Sequence, residues 1–547
     1  MRSCLKARKP VAWFAMAALS VYGGPTSIPI RQGGVEGRPF WNKVSPWFEY
    51  APAFDFPEVN GAVKYRFIAK HQSGAEFSFE AESPQAALSP IWEKLPVGAI
   101  ELRVAALDAN GGFIGTAPGD ATVTGSAVAM KPPTAVRKFW KKATFHEGMY
   151  ESAACSYAQS ARKAFEFVLN EPSIRYLHDH GTPDPSYSLN GYPSKMLSAE
   201  IGILLDIAKT RPEHRAFALE TAKKAADHLI RNRCAAGTPL EYFTKTYEGE
   251  GEYGRSKQNA GLNMLIYPAK AGEALVKLHV ALARDEGYLD AAEKIAATYL
   301  KLQGTDGTWP LKVREDTGEP VAPNRLIPLP VIDFLESLYA VTKKPEYRAA
   351  ANRAFVYVEK GPLKTWNWEG QFEDTKPRPP YLNPTMHEAA STAIYLLKRF
   401  PGDAKRLELA MELVRWAEDQ FVAWEKPEVG DRRAHHFNPA NWYVPGTIEQ
   451  LAMGEPIDAS SAKMIEVYLA LHKATGGHEY WAKARVLGDT ITRAQWEDGC
   501  YKTFWVKADR DDQRYHVWMN CHIYTARVMN LLATVEHWLN GKPKRSS

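Results

Sequence analysis

The pattern of apolar and polar positions changes character once along the chain. Between about Pro29 and Met130 it alternates with a period of two over short runs: Ala62 to Ala69 (AVKYRFIA), Glu76 to Glu80 (EFSFE) and Ala99 to Leu107 (AIELRVAAL). Such alternation turns one face of a strand to a core and the other to water. Asp108 to Gly112 (DANGG) reads as a hairpin turn, because Asn and Gly accept positive φ. Strands at this spacing predict a small β-sandwich over residues 29–130. Lys131 to Lys138 (KPPTAVRK) carries two prolines and no apolar stripe, so 131–140 is expected to be a linker.

From residue 141 to 547 the period lengthens to that of helices. Twelve patterns are predicted, at about 148–170, 196–209, 214–232, 262–284, 287–303, 328–343, 346–359, 385–399, 404–424, 459–475, 479–496 and 521–539. They repeat as a unit. In Ala281 to Gln303 and in the segment ending at Gln495, a tyrosine (Tyr288, Tyr480) stands fifteen residues before the glutamine. A third copy begins at Tyr347, so each unit is a helix, a tight polar turn and a second helix. Six such hairpins can close into a ring. The Ala, Gly and Leu-rich helix 262–284 fits its inner wall, and helix 404–424, charged on one face, fits the outside.

Short turns (ARDEG, TKKPE, RFPGD, ATGGHE) alternate with the long segments 171–195, 233–261, 304–327, 360–384, 425–458 and 497–520. In a ring of antiparallel helices, alternate connections lie at opposite ends. The long ones should therefore gather at one mouth, together with the N-termini of the inner helices, whose free N–H groups favour anionic ligands.

Composition narrows the ligand. The 547 residues include 16 Trp and 25 Tyr, more than cores require, and these amphipathic rings suit a carbohydrate. A formal charge of +5 spread over interspersed Lys and Arg argues against a nucleic-acid partner. Residues 1–25 read as a secretory signal, with Arg2, Lys6, Arg8 and Lys9 before an apolar run from Val11 to Val21 that is too short for a comfortable membrane span. The mature chain is expected to be secreted or periplasmic and monomeric. Its four cysteines are too sparse for a disulfide scaffold, and at most Cys500 and Cys521 can pair. No cysteine spacing fits a metal, and the adjacent His435 and His436 would rarely point at one ion, so neither metal nor cofactor is expected.

The richest stretch is Thr365 to Glu388 (TWNWEGQFEDTKPRPPYLNPTMHE), whose prolines forbid a helix until about Pro384. Its carboxylates Glu369, Glu373, Asp374 and Glu388, with His387 beside them and Glu449 in GTIEQ, are the candidate catalytic groups. Asp458 is a further acid, more simply read as a helix N-cap. Trp366, Trp368, Trp309, Trp442 and Trp505 are candidate sugar platforms. Asn190, Tyr192, Asn263, His436, Tyr443, His516 and Asn520 are candidate polar contacts to the same ligand. YEGEGEY, from Tyr247 to Tyr253, reads as an acidic hairpin or a lid.

Two resemblances follow. The run LPVGAIELRVAALDANGG resembles the late strands of a fibronectin type III or immunoglobulin-like module. A chain with such a leader and six helical hairpins looks like the (α/α)6-toroid carbohydrate-active enzymes: inverting glycoside hydrolases, unsaturated-uronyl hydrolases, uronic-acid polysaccharide lyases and sugar epimerases. The resemblance implies a mainly α fold, an (α/α)6 toroid behind a small β-sandwich, and a polysaccharide or oligosaccharide substrate. Hydrolysis requires a carboxylic acid and a carboxylate across one bond, which the acids above supply. A lyase would instead use Tyr and His for β-elimination, and a non-catalytic scaffold would bind a glycan along an open groove. The excess of carboxylates in the central loop favours a hydrolase of a uronic-acid-bearing glycan.

Overall fold

The computed structural model describes residues 47–56, 58–114, 135–249, 259–283, 287–373, 383–428, 439–451, 453–506 and 517–541. The expected signal at 1–25 lies outside them, as do Asp374, His435, His436 and His516.

The N-terminal strands follow the alternation. Strands β1 (Trp47–Phe48), β3 (Lys64–His71), β4 (Glu76–Ala81), β6 (Gly98–Leu107), β7 (Phe113–Ile114) and β8 (Ala135–Lys141) form one sheet in the order β1-β8-β6-β3-β4, with β7 on β6. All pairs are antiparallel except β1 with β8. A ribbon of β2 (Ala53–Asp55) and β5 (Gln85–Ala87) accompanies it. The core is aromatic, built on Phe48, Phe54, Phe67, Trp92 and Phe139. The DANGG turn forms as expected: Asp108 Oδ1 accepts the N–H groups of Asn110 and Gly112 at 2.9 and 2.8 Å, and Gly111 takes φ +78°. One expectation fails here. Residues 135–140 were assigned to a linker, but they lie in β8, where they pair with β6 along its length. The two prolines lie just before the strand, and AVRKFWK alternates well enough to enter the sheet.

Among the described residues twelve long helices follow, close to the predicted positions: α1 (Tyr157–Asn170), α2 (Pro193–Thr210), α3 (Arg215–Arg231), α4 (Tyr267–Leu282), α5 (Tyr288–Leu302), α6 (Leu329–Thr342), α7 (Pro345–Lys360), α8 (Met386–Arg399), α9 (Ala404–Phe421), α10 (Asp458–Thr475), α11 (His478–Ala494) and α12 (Met519–Asn540). A short helix, Pro172–His180, was not expected. Local signals set the ends. Ser156 and Gln159 form a capping box before α1, Asp403 and Thr385 cap α9 and α8, and prolines stand in the first turns of α2, α4, α6 and α7.

The helices close a ring. In the inner wall, α2 packs on α4, α4 on α6, α6 on α8, α8 on α10, α10 on α12, and α12 returns to α2. Outside, α3, α5, α7, α9 and α11 each back the inner helix that precedes them. The sixth pair joins the two ends of the helical segment, because α12 is backed by α1 rather than by a neighbour in sequence. Helix α4 is inner and α9 outer, as their composition implied.

Close approach in the inner wall depends on small residues. A Cβ at Gly272 of α4 would stand 2.4 Å from the ring of Phe334 on α6. The N-terminal sheet is fastened to the ring by buried polar contacts. Asp419 Oδ1 accepts the N–H groups of Glu49 and Tyr50 at 2.7 and 2.6 Å, and Tyr50 Oη donates to Glu418 Oε1 at 2.8 Å. Lys483 Nζ lies 2.7 Å from the same Glu418, whose other oxygen takes the Tyr468 hydroxyl at 2.7 Å. All four cysteines in the described residues are free thiols, so Cys500 and Cys521 do not pair. No described helix is long and apolar enough to cross a membrane.

Two measurements check this packing. Gly272→Ala should lower unfolding free energy by about 1–2 kcal/mol, although alanine is the better helix former, because the added methyl overpacks Phe334. Lys483→Met should cost about 3 kcal/mol by leaving Glu418 charged, buried and unpaired. Chemical denaturation reads both, and values within 0.5 kcal/mol of the parent in either variant (roughly the scatter of neutral surface changes) would contradict the corresponding contact.

Candidate active site

Hydrogen bonds join the six long loops into a closed circuit on one rim. Glu248 N donates to Gly191 O at 2.9 Å, and Leu262–Met264 pairs with Lys312–Arg314. Ile327 N donates to Gln371 Oε1 at 2.9 Å, while Leu451 N reaches Pro384 O at 3.1 Å. Ile457 bridges Phe504 and Trp442 bridges Val506. Tyr187 Oη, donating to Val517 O at 3.0 Å, completes the circle. The long connections therefore share one end, as their lengths required, and the six inner helices start beneath them.

Each inner helix carries polar side chains within its first two turns, among them Lys195, Lys270, Asp333, Glu388, Lys463 and Tyr524. These groups share one space. The ammonium of Lys270, on α4, feels Lys195 of α2, Glu388 of α8, Lys463 of α10 and Glu373 of the central loop. Lys270 is exposed and Glu388 half-buried, so the space they share is open to solvent.

The carboxyls in this space have different states. Glu373 is 5% exposed and held at both oxygens, Oε1 by Lys195 and Oε2 by the Tyr267 hydroxyl. Burial opposes its charge, yet the Lys195 ammonium and these hydrogen bonds hold its carboxyl below the usual range, so it is a fixed anion. Glu388 is the opposite case. Its Oε2 is inaccessible and without a hydrogen-bond partner among the described residues, and burial pushes the carboxyl up to about 8, reinforced by Glu449 and partly offset by a backbone hydrogen bond, Lys270 and Lys463. Glu449, 8% exposed on the strand Gly446–Gln450, raises Glu388 and Asp458 and so belongs to the same cluster. Asp458 is the first residue of α10 rather than its N-cap. It is fully buried, takes the Thr525 hydroxyl on Oδ2 at 2.9 Å, and burial lifts it far above the ordinary range. Asp333 is pushed up to about 6 by burial and by Glu273. His387 Nε2 lies 3.3 Å from Ser460 Oγ, and burial with Lys463, Lys270 and Lys195 pushes its imidazole down to about 3, so it is neutral. Among the described residues, no group of three or more His, Cys, Asp or Glu has the arrangement of a metal site.

Of the expected site residues, Glu373, Glu388, Glu449 and His387 converge in this interior, and Asn520 is the second residue of the inner helix α12. The buried tryptophans are corrected by their surroundings, and several other residues are engaged in contacts of their own. Glu369 accepts from Asn324 Nδ2 at 3.0 Å and braces two loops. Trp309, Trp366, Trp368, Trp442 and Trp505, expected as sugar platforms, are at most 4% exposed. Trp309 Nε1 donates to Tyr299 O at 2.9 Å, and Trp366 packs on Trp416. Asn263 is fully buried and joins Thr244, Thr246 and Cys234. Asn190 donates within its own loop to Asp184 O, Tyr192 is buried edge-on to Tyr247, and Tyr443 lies by Lys502. The loops thus use their rings as a second core above the helices. Asp374, His436 and His516 lie outside the described residues, as do Glu250, Glu252 and Tyr253 of the acidic hairpin.

Sequence reasoning attended to the loops and passed over Lys195, Tyr267, Lys270, Asp333 and Lys463. A usable signal exists: a charge near the start of a largely apolar inner helix, as in YPAKAGEALV, LPVIDFL and SSAKMIEV.

No protein-family model matches this chain, and no curated protein does. Among solved structures, it is similar to a family 76 glycoside hydrolase from a bovine Bacteroides thetaiotaomicron strain, at 13% identity, TM-score 0.46, over 88% of this chain and 96% of that one. It is also similar to cellobiose 2-epimerase from Spirochaeta thermophila, at 15% identity and TM-score 0.47 over 69% and 98%. An unsaturated glucuronyl hydrolase specific for heparin aligns at 10% identity and TM-score 0.42 over 70% and 98%. The assignment of this chain as an (α/α)6 toroid rests on its own helix packing, in which six inner helices close a ring and six outer ones back them.

Proposed function

We propose that this chain is a glycoside hydrolase acting on a uronic-acid-bearing glycan, with Glu388 as general acid and Glu449 as the carboxylate that activates water. The observation carrying this reading is Glu388: a carboxyl whose Oε2 is buried with no hydrogen-bond partner among the described residues, kept protonated near neutrality in an interior that also holds carboxylates. Protonation of the leaving oxygen needs such a group, and the bond cleaved would lie between it and Glu449. Glu373, pinned by Lys195 and Tyr267, is a fixed negative charge suited to stabilising the positive charge that develops on the sugar ring. Convergent acids in a closed ring favour an enzyme over a scaffold with an open groove. On this reading the protein is exported by its first 25 residues, and the N-terminal strands are a fibronectin-like sandwich that stiffens the ring.

A second reading, β-elimination, draws support from His387, whose imidazole is neutral and therefore able to accept a proton. Incubating the protein with uronic-acid polysaccharides separates the two. Hydrolysis yields reducing ends alone, whereas elimination adds the ultraviolet absorbance of an unsaturated product.

Glu388→Gln should lower kcat at least about 100-fold with the fold retained by circular dichroism, as expected for loss of a general acid. Full turnover in this variant would remove Glu388 from the mechanism. The pH profile follows from the same group. Its raised value means that the active, protonated form persists up to about 8 and is lost above it, so kcat/KM should fall as pH rises through about 8. A profile flat through that range would contradict the assignment.

A further inference from the structure

Three lysines enter the ring interior from three inner helices, and they differ in how their charge is answered. Lys195 is bound to Glu373. Lys463 has Glu466 Oε2 at 2.8 Å and lies over the Tyr524 ring at 4.9 Å. Glu466 also takes the Tyr524 hydroxyl, which fixes that arrangement. Lys270 is different. Its side chain is exposed to the cavity, its Nζ stands 5.2 Å from the Tyr267 ring, and among the described residues it has no carboxylate within ion-pair distance.

We propose, building on the hydrolase reading above, that Lys270 is the residue that selects the substrate: it binds the carboxylate of the uronic acid whose glycosidic bond Glu388 protonates. Geometry places it for this. Lys270 is the fourth residue of α4 and Glu388 the third of α8, so both stand in the first turn of an inner helix, and each lies within electrostatic reach of the other. Tyr267, one turn before Lys270, holds Glu373, so the ammonium and the fixed carboxylate are tied to a single turn of α4.

Electrostatics agree with the placement. Burial and the like charges of Lys195 and Lys463 work against the Lys270 ammonium, and Glu373 and Glu388 offset them only in part. An ammonium in that position gains from an incoming anion and gains little from a neutral sugar. The first turns of the inner helices, whose N–H groups face the same space, add to the preference for negative charge. A bound carboxylate near Glu388 would also raise the Glu388 carboxyl further, so that the acid keeps its proton in the complex.

The test uses the full chain, a uronic-acid polysaccharide and the same polysaccharide with its carboxyls reduced to neutral alcohols. Lys270→Met keeps the apolar stem and removes the charge, and Lys270→Arg keeps the charge. The ratio of kcat/KM for the acidic over the reduced polymer should fall about 30-fold in Lys270→Met, as for loss of one charge-assisted contact, and recover partly in Lys270→Arg. In the parent, the alkaline limb of kcat should lie at higher pH than that of kcat/KM, a separation that Lys270→Met should reduce. A ratio within threefold of the parent overturns the proposal, whether the variant is active or equally impaired on both polymers. Should the parent cleave neither polymer, the hydrolase reading fails on its own. Calorimetric binding of a free uronic acid then decides for Lys270: affinity lost in Lys270→Met supports it, and affinity unchanged overturns it. If Lys270→Met does not fold, Lys270→Gln takes its place in the same measurements.

Discussion

The rest of the molecule depends on the seating of α12 between α10 and α2, with α1 behind it. Five of the six helix pairs are made by short turns and would form in any stack of repeats. The sixth joins the two ends of the helical segment across about 350 residues, and it turns a row of hairpins into a ring with an inside. The cost is loop-closure entropy, which grows only slowly with separation, and the return is a continuous apolar inner wall. Ile523, Ala526, Met529 and Leu532 of α12 are all essentially inaccessible in that wall.

Closure has an electrostatic consequence. Six helices that start on one rim point their unpaired N–H groups and their first side chains at a common axis. Charges brought that close cannot all keep their ordinary state. Glu373 stays ionised because Lys195 and Tyr267 hold it, Glu388 gives up its charge because burial outweighs its backbone hydrogen bond and the nearby lysines, and His387 stays neutral because it is buried and lysines surround it. Two carboxyls driven to opposite states within one cavity is the condition that acid and base chemistry requires.

The twelve long helices were legible because each carries a long apolar stripe, although α1 starts at Tyr157 rather than near 148, and the rim shared by the long loops followed from connection lengths alone. The tryptophans of those loops were misread. Rings such as Trp309 and Trp368 look like ligand platforms in a string of polar residues, but loops of this length on a ring must bury something of their own, and the rings are what they bury. The opposite error hid Lys270 and Asp333. A single charge in an apolar helix reads as a solvated face until the neighbouring helices show that the face looks inward.

By itself the sequence determined the approximate positions of the long helices, the period of the repeat and the end of the ring at which the long loops gather. These depend on spacing along one chain, which periodicity records directly. Which side chains meet across the ring was decided only by tertiary structure, because Lys195, Lys270, Glu388 and Lys463 lie on separate helices with no local pattern linking them. The protonation of Glu388 belongs to the same class. It arises from burial and from charges on other helices, quantities that exist only once the ring has closed.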